Sequence, residues 1–172
     1  MRTRSAVRVV GPLHWVIYPS LICMAITVIL GTPVRIFTLP LPEPVIPLCL
    51  AFAWPLIRPS MLGPLMLLLL GVFVDLYHNA PLGLTSVAAL GVYGGVLAAR
   101  PIIVGQEPRV LFAWWMGLIT VAFLFDYLFM MLQTQVAPSI IAVILQFLPT
   151  AMLFPVAYWL YQRFDDGDVR FR

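Results

Sequence analysis

The apolar positions of this chain fall into long runs free of charge, and the polar positions are squeezed between them. Residues 13–30, 82–99 and 140–161 contain no charged side chain, and 110–132 contains only Asp126. Residues 61–77 carry their one charge, Asp75, close to the end. Residues 44–57 form a shorter run that opens in Pro40-Leu41-Pro42-Glu43-Pro44. About 20 apolar residues cross the hydrocarbon core as a helix, so these six runs predict an all-α, polytopic membrane protein with six transmembrane helices. The short second run also fits a tilted span, a broken span or a re-entrant hairpin, tolerated where other helices shield its backbone.

Arginine placement tests that count, because positive charge in short loops collects on the cytoplasmic side. All ten basic residues are Arg. Six crossings put Arg2, Arg4, Arg8, Arg58, Arg100, Arg109, Arg163, Arg170 and Arg172 on one side and Arg35 alone on the other. That asymmetry predicts both termini in the cytoplasm and the second run as a true crossing. Trp15, Trp54, Trp114, Trp115 and Trp159 all fall near the same predicted helix ends, where an amphipathic ring is favoured. A basic start followed by an apolar run also describes a secretory signal, but the run is long and Gly31-Thr32-Pro33 is a poor cleavage site, so it is expected to remain as the first span.

Composition agrees: 62% of the 172 residues are apolar and 10% charged, against about a quarter charged in soluble domains. One membrane domain, residues 1–172, is therefore expected, with nothing of size outside the bilayer. The formal charge of +3 follows from the Arg residues and fits topology and anionic-lipid attraction. No basic face points to nucleic acid. Cys23 and Cys49 lie within apolar runs and are expected as small buried hydrophobes. No Cys/His cluster has metal-ligand spacing, and no cofactor is implied.

Within the fourth run, Ala88, Gly91, Gly95, Ala98 and Ala99 recur at helical spacing and predict a small-residue face for close helix packing, inside the bundle or against a partner's helix. Pro149 and Pro155 should bend the last span. Ser60 is placed to cap the third span, with Pro64 in its first turn.

Asp75 and Asp126 are the ionisable groups within the spans, and a carboxylate at the bilayer centre costs roughly 3 kcal/mol or more unless paired or wet. Asp126 lies about 24 Å along a helix from Val110 at 1.5 Å per residue, and Asp75 reaches a similar depth in its own span. Both are expected in the outer half near His78, either lining a shared polar cavity or accepting hydrogen bonds from loop backbone. Asp75 also belongs to Gly71-Val72-Phe73-Val74-Asp75-Leu76-Tyr77-His78-Asn79-Ala80-Pro81-Leu82-Gly83. There a helix should end near Tyr77, Asn79 should turn the chain, Pro81 should occupy the first turn of the next helix, and Gly83 should let the two pack closely.

With Gly71, Asp75 and Pro81-Leu82-Gly83, the near absence of loops, and the ending Phe154-Pro155-Val156-Ala157-Tyr158-Trp159-Leu160 before a short charged tail, the chain resembles the MreD family of bacterial rod-shape-determining membrane proteins. The Pro-rich run before the second span and the acidic tail Asp165-Asp166-Gly167-Asp168 depart from that pattern. The resemblance implies a non-catalytic elongasome component of the inner membrane, working with an MreC-like protein and with MreB, RodA and a class B penicillin-binding protein in sidewall peptidoglycan synthesis. It also implies a fold similar to the six-helix substrate-binding subunits of vitamin uptake transporters. Under it, Asp75, His78, Pro81, Gly83 and Asp126 are candidate partner or cavity contacts, and Ala88, Gly91, Gly95 and Ala98 a candidate docking face.

Catalytic alternatives lack their residues. The chain has no Gly-x-Ser-x-Gly nucleophile and no His-Glu-x-x-His. A small-molecule-binding subunit of a transporter is the rival reading, because two outer carboxylates in a compact bundle suit a ligand cavity. Against it, the first span offers only Ala25 and nearby Gly31 where such subunits carry an Ala-rich docking face.

Overall fold

The computed structural model describes residues 8–10, 13–31, 35–36, 39–40, 43–165 and 169–171. They form a helical bundle. A π-helical turn at Leu13–Ile17 runs into α1 (Tyr18–Leu30), followed by α2 (Ile46–Ile57), α3 (Leu62–Tyr77), α4 (Leu84–Ile103), α5 (Pro108–Thr134), α6 (Ile140–Ala151) and α7 (Phe154–Asp165). These segments lie close to the six apolar runs, α6 and α7 together occupying the last. Three rods are long and apolar enough to cross a membrane: Leu84–Ile103, Pro108–Thr134 and Ile140–Phe164. The short strands Arg8–Val10 and Val169–Phe171 pair in parallel, bringing the two ends of the chain to one end of the bundle. A second short ladder joins Arg35–Ile36 to Leu39–Pro40.

The doubtful second run becomes the centre of the molecule. At 12 residues α2 is about 18 Å long, and Pro47 through Leu56 are all buried. It packs on α4, α7, α3 and α1, as expected for a helix apolar on every side. Specific side chains satisfy main-chain carbonyls at and near its C-terminal end. Arg100 Nε donates to the Pro55 carbonyl at 2.9 Å, a cation at a helix C-terminus. Trp54 Nε1 donates to the Trp15 carbonyl at 3.1 Å, tying the π-helical turn before α1 to α2.

Those bonds correct the expected role of the tryptophans. Trp15, Trp54 and Trp115 are buried in the bundle and Trp114 partly so, while Trp159 is 55% exposed. Burial of an indole is inexpensive only where its N–H finds an acceptor, and for Trp54 and Trp115 a backbone carbonyl provides it.

The last span breaks, as its prolines predict. α6 ends at Ala151 and α7 begins at Phe154. Pro155 has no N–H for the Ala151 carbonyl four residues back, and Trp115 Nε1 donates to that carbonyl instead, at 3.1 Å. Beside the break, buried Thr150 donates to Gln146 O at 2.8 Å and accepts from the Val45 amide at 3.1 Å, fixing the entry to α2. Ser60 Oγ accepts from the Gly63 amide at 3.3 Å, a cap at the start of α3. Cys23 and Cys49 are buried and free.

Two glycine roles differ from expectation. Gly83 adopts φ +94° with open space around its Cβ position, so it serves the left-handed entry to α4 rather than close packing. The tight contact belongs to Gly71, where a Cβ would run into the backbone and hydroxyl of Ser86. Ser86 Oγ in turn donates to the Leu68 carbonyl at 3.0 Å, fastening α4 to α3. Pro81 lies before the cap, in the turn rather than in the helix. Asn79 has φ +52° and does turn the chain.

The small-residue face of α4 is divided by the bundle surface. Ala88 and Ala99 are buried, Gly91 and Ala98 are exposed, and Gly95 lies beneath Leu118 of α5, whose Cδ2 would be 2.6 Å from an added Cβ. Gly94, exposed and open on its Cβ side, extends the outward part.

Candidate functional site

At the end of the bundle away from the paired termini, a cavity of about 280 Å³ opens between the α3–α4 turn, the end of α1, the lead-in to α2, and α5 with α6. Its polar lining includes Thr27, Glu43, Asp75, His78, Thr85, Asp126, Tyr127 and Gln146. The remaining lining is mostly apolar, including Val74, Phe123, Met130 and Val143.

The two acids share this cavity but differ in their bonding. Asp75 is 0% exposed. Its Oδ2 accepts from the Gly83 amide at 2.7 Å and its Oδ1 from the Thr85 amide at 3.1 Å. A helix start leaves such amides without intrahelical partners and with the positive end of the helix dipole. Asp75, reaching across from the end of α3, therefore caps α4, and both of its oxygens are engaged. Asp126 is partly buried, and its Oδ1 is enclosed without a hydrogen-bond partner among the described residues. A buried acceptor in that state carries a desolvation cost of about 1–3 kcal/mol, more when charged.

His78 sits at the rim. Its Nδ1 lies 3.0 Å from the Val74 carbonyl and its Nε2 lies 3.2 Å from Glu43 Oε2. Both ring nitrogens thus face oxygen atoms, one a main-chain carbonyl and one a carboxylate. The contact joins the α3–α4 turn to the lead-in of α2 across the mouth.

Of the residues singled out by sequence, Asp75, His78 and Asp126 meet at one cavity, whereas Pro81 and Gly83 shape the turn and do not line it. Ala88, Gly91, Gly95 and Ala98 are likewise not among its lining residues. Sequence reasoning missed Glu43, hidden in the Pro-rich run, and Gln146. The signal for Gln146 was present: an amide in an otherwise apolar stretch of the last span, where polar groups are costly unless bonded. Among the described residues, no group of three or more His, Cys, Asp or Glu is placed to hold a metal. Comparison with protein-family models, with curated proteins and with solved structures finds no match to this chain.

Proposed function

We propose that this chain is a non-catalytic scaffold of the bacterial inner membrane, crossing six times with both termini cytoplasmic, which holds an MreC-like protein and through it the elongasome. The observation that carries the reading is the coherence of the hairpin on which the MreD resemblance rests. Gly71 admits Ser86, Asp75 caps α4 at Gly83 and Thr85, and Gly83 supplies the left-handed turn, so the motif residues form one rigid device. A rigid hairpin whose carboxylate is consumed by backbone amides suits positioning rather than proton transfer. The paired ends of the chain and the Arg distribution support the topology, and the outward faces of α4 to α6 leave room for partner helices.

The exposed strip Gly91, Gly94 and Ala98 is the proposed contact for the MreC-like helix, because small residues let backbones approach closely. Both glycines have open space at their Cβ positions, so Gly91→Leu and Gly94→Leu should insert and fold normally. Co-purification with the MreC-like partner should fall by tenfold or more, and cells relying on the variant should lose rod shape. Undiminished co-purification would refute the contact.

A second reading, the substrate-binding subunit of a small-molecule transporter, is favoured by one observation: the partnerless Asp126 Oδ1 in a cavity large enough for a small ligand. Native mass spectrometry of the protein extracted from its own membranes tests it. A retained small molecule, lost on Asp126→Asn, supports the transporter reading; an empty cavity with the MreC-like protein attached supports the scaffold.

A further inference from the structure

Along the side of the bundle, α1 and α7 flank the first turns of α2 and leave a groove of about 350 Å³ between them. One wall is a single face of α1, from Tyr18 through Ile22 to Ile26; the other is a single face of α7, from Val156 through Trp159 and Leu160 to Arg163. Cys49 and Leu50 of α2 form the floor. The walls cover seven to eight residues of rise, about 11–12 Å, and the groove changes character along that length. Tyr18, Trp159 and Arg163 stand at the end nearer the chain termini, and beyond them the lining is apolar as far as Ile26, Ile46 and Val156.

Arg163 carries the one charge among the groove's lining residues. Its Cζ lies 5.2 Å from the Trp159 ring centre. Stacking on an aromatic face holds a guanidinium through its plane, while its N–H groups point outward along the fork that matches a phosphate. An apolar trough with a held cation at its interfacial mouth complements a molecule with an oily tail and an anionic head.

We propose that this groove seats an anionic phospholipid, one acyl chain lying over Cys49 and Leu50 between α1 and α7 and the phosphate at Arg163. The site adjoins the cavity around Asp126 only at Ile46 and is independent of the scaffold reading. A lipid bound there would fill the space between the first and last helices and fasten them to each other through α2.

Quenching by brominated lipids tests the proposal on the intact chain. The protein is reconstituted in bilayers containing brominated phosphatidylglycerol or brominated phosphatidylcholine, and the Trp159 contribution is read as the difference from a Trp159→Phe variant. The expected result is half-maximal quenching at a several-fold lower mole fraction of phosphatidylglycerol than of phosphatidylcholine. Arg163→Gln should abolish that preference and Arg163→Lys should keep part of it. Val156→Phe, at a position already 52% exposed, should narrow the trough and weaken quenching by phosphatidylglycerol at least threefold. Equal quenching by the two lipids in the parent protein, a preference that survives Arg163→Gln, or unaltered quenching in Val156→Phe would each overturn it.

Discussion

Asp75 and Asp126 are the same side chain in the same cavity, and their bonding predicts opposite results on removal. Asp75→Ala strips two part-buried amides of their acceptor, at about 1–3 kcal/mol each, and removes an acceptor favourably placed at a helix N-terminus. A loss of roughly 2–5 kcal/mol is expected, seen as a lower melting temperature of the detergent-solubilised protein. Asp75→Asn should fall in between, since it keeps one acceptor oxygen and sets an NH2 against the second amide. Asp126 bears an oxygen with no partner among the described residues, so Asp126→Asn should leave the melting temperature unchanged or raise it. A clear fall on that substitution would show that Asp126 is bonded in the folded protein. Functional sites are where local rules of stability are broken, and by that criterion Asp126, rather than the better-packed Asp75, marks the place to look for a ligand.

Helix positions were legible because charge-free runs of membrane length are hard to mimic by chance, and the ends of α1, α3 and the last span fell close to where those runs place them. Pro149 and Pro155 likewise announced the break between α6 and α7, since a missing N–H acts locally. The replacement for that N–H was not legible: Trp115 lies 40 residues before Pro155, and only tertiary packing brings its indole to the Ala151 carbonyl. Trp115→Phe should therefore cost about 1–3 kcal/mol through the unsatisfied carbonyl. Pro155→Ala restores an amide to the helix and should make the indole partly redundant, so the double variant should lose less stability than the two single losses added together. Strict additivity in thermal melts would contradict that coupling. Glycines misled for a related reason. Spacing placed five small residues of α4 on one face but could not say where the bundle surface cuts that face, and it could not distinguish Gly83, needed for its φ, from Gly71, needed for space. Gly71→Ala should accordingly destabilise the hairpin by forcing α3 and α4 apart at Ser86, whereas Gly91→Ala should be neutral within about 0.5 kcal/mol; comparable melting losses for the two would reverse the assignment.

For the whole molecule, charge bias and helix length pointed the same way wherever neighbours could be ignored, and they parted at α2. A 12-residue helix is a weak candidate by length alone, yet it is the helix around which α1, α3, α4 and α7 pack. Its setting depends on residues such as Trp15, Arg100 and Thr150, which lie 39, 45 and 105 positions from their partners in or beside α2 and which no local pattern reveals. The cavity was legible only as two acids at similar depth; Glu43, Thr27 and Gln146 reach it from separate elements through the bundle's packing.

That arrangement also sets an order of assembly. α2 leaves the ribosome before α3, α4 and α7, the helices that enclose it, and it is too short to rest across a bilayer unaided. Between its synthesis and the arrival of α7 it has no finished home, and the nascent protein must wait with its future centre lodged elsewhere, at the membrane surface or inside the insertion machinery. Chains stopped after Thr134 should be cleared by membrane proteases far faster than the full chain, and supplying the missing α6–α7 segment as a separate polypeptide should rescue them.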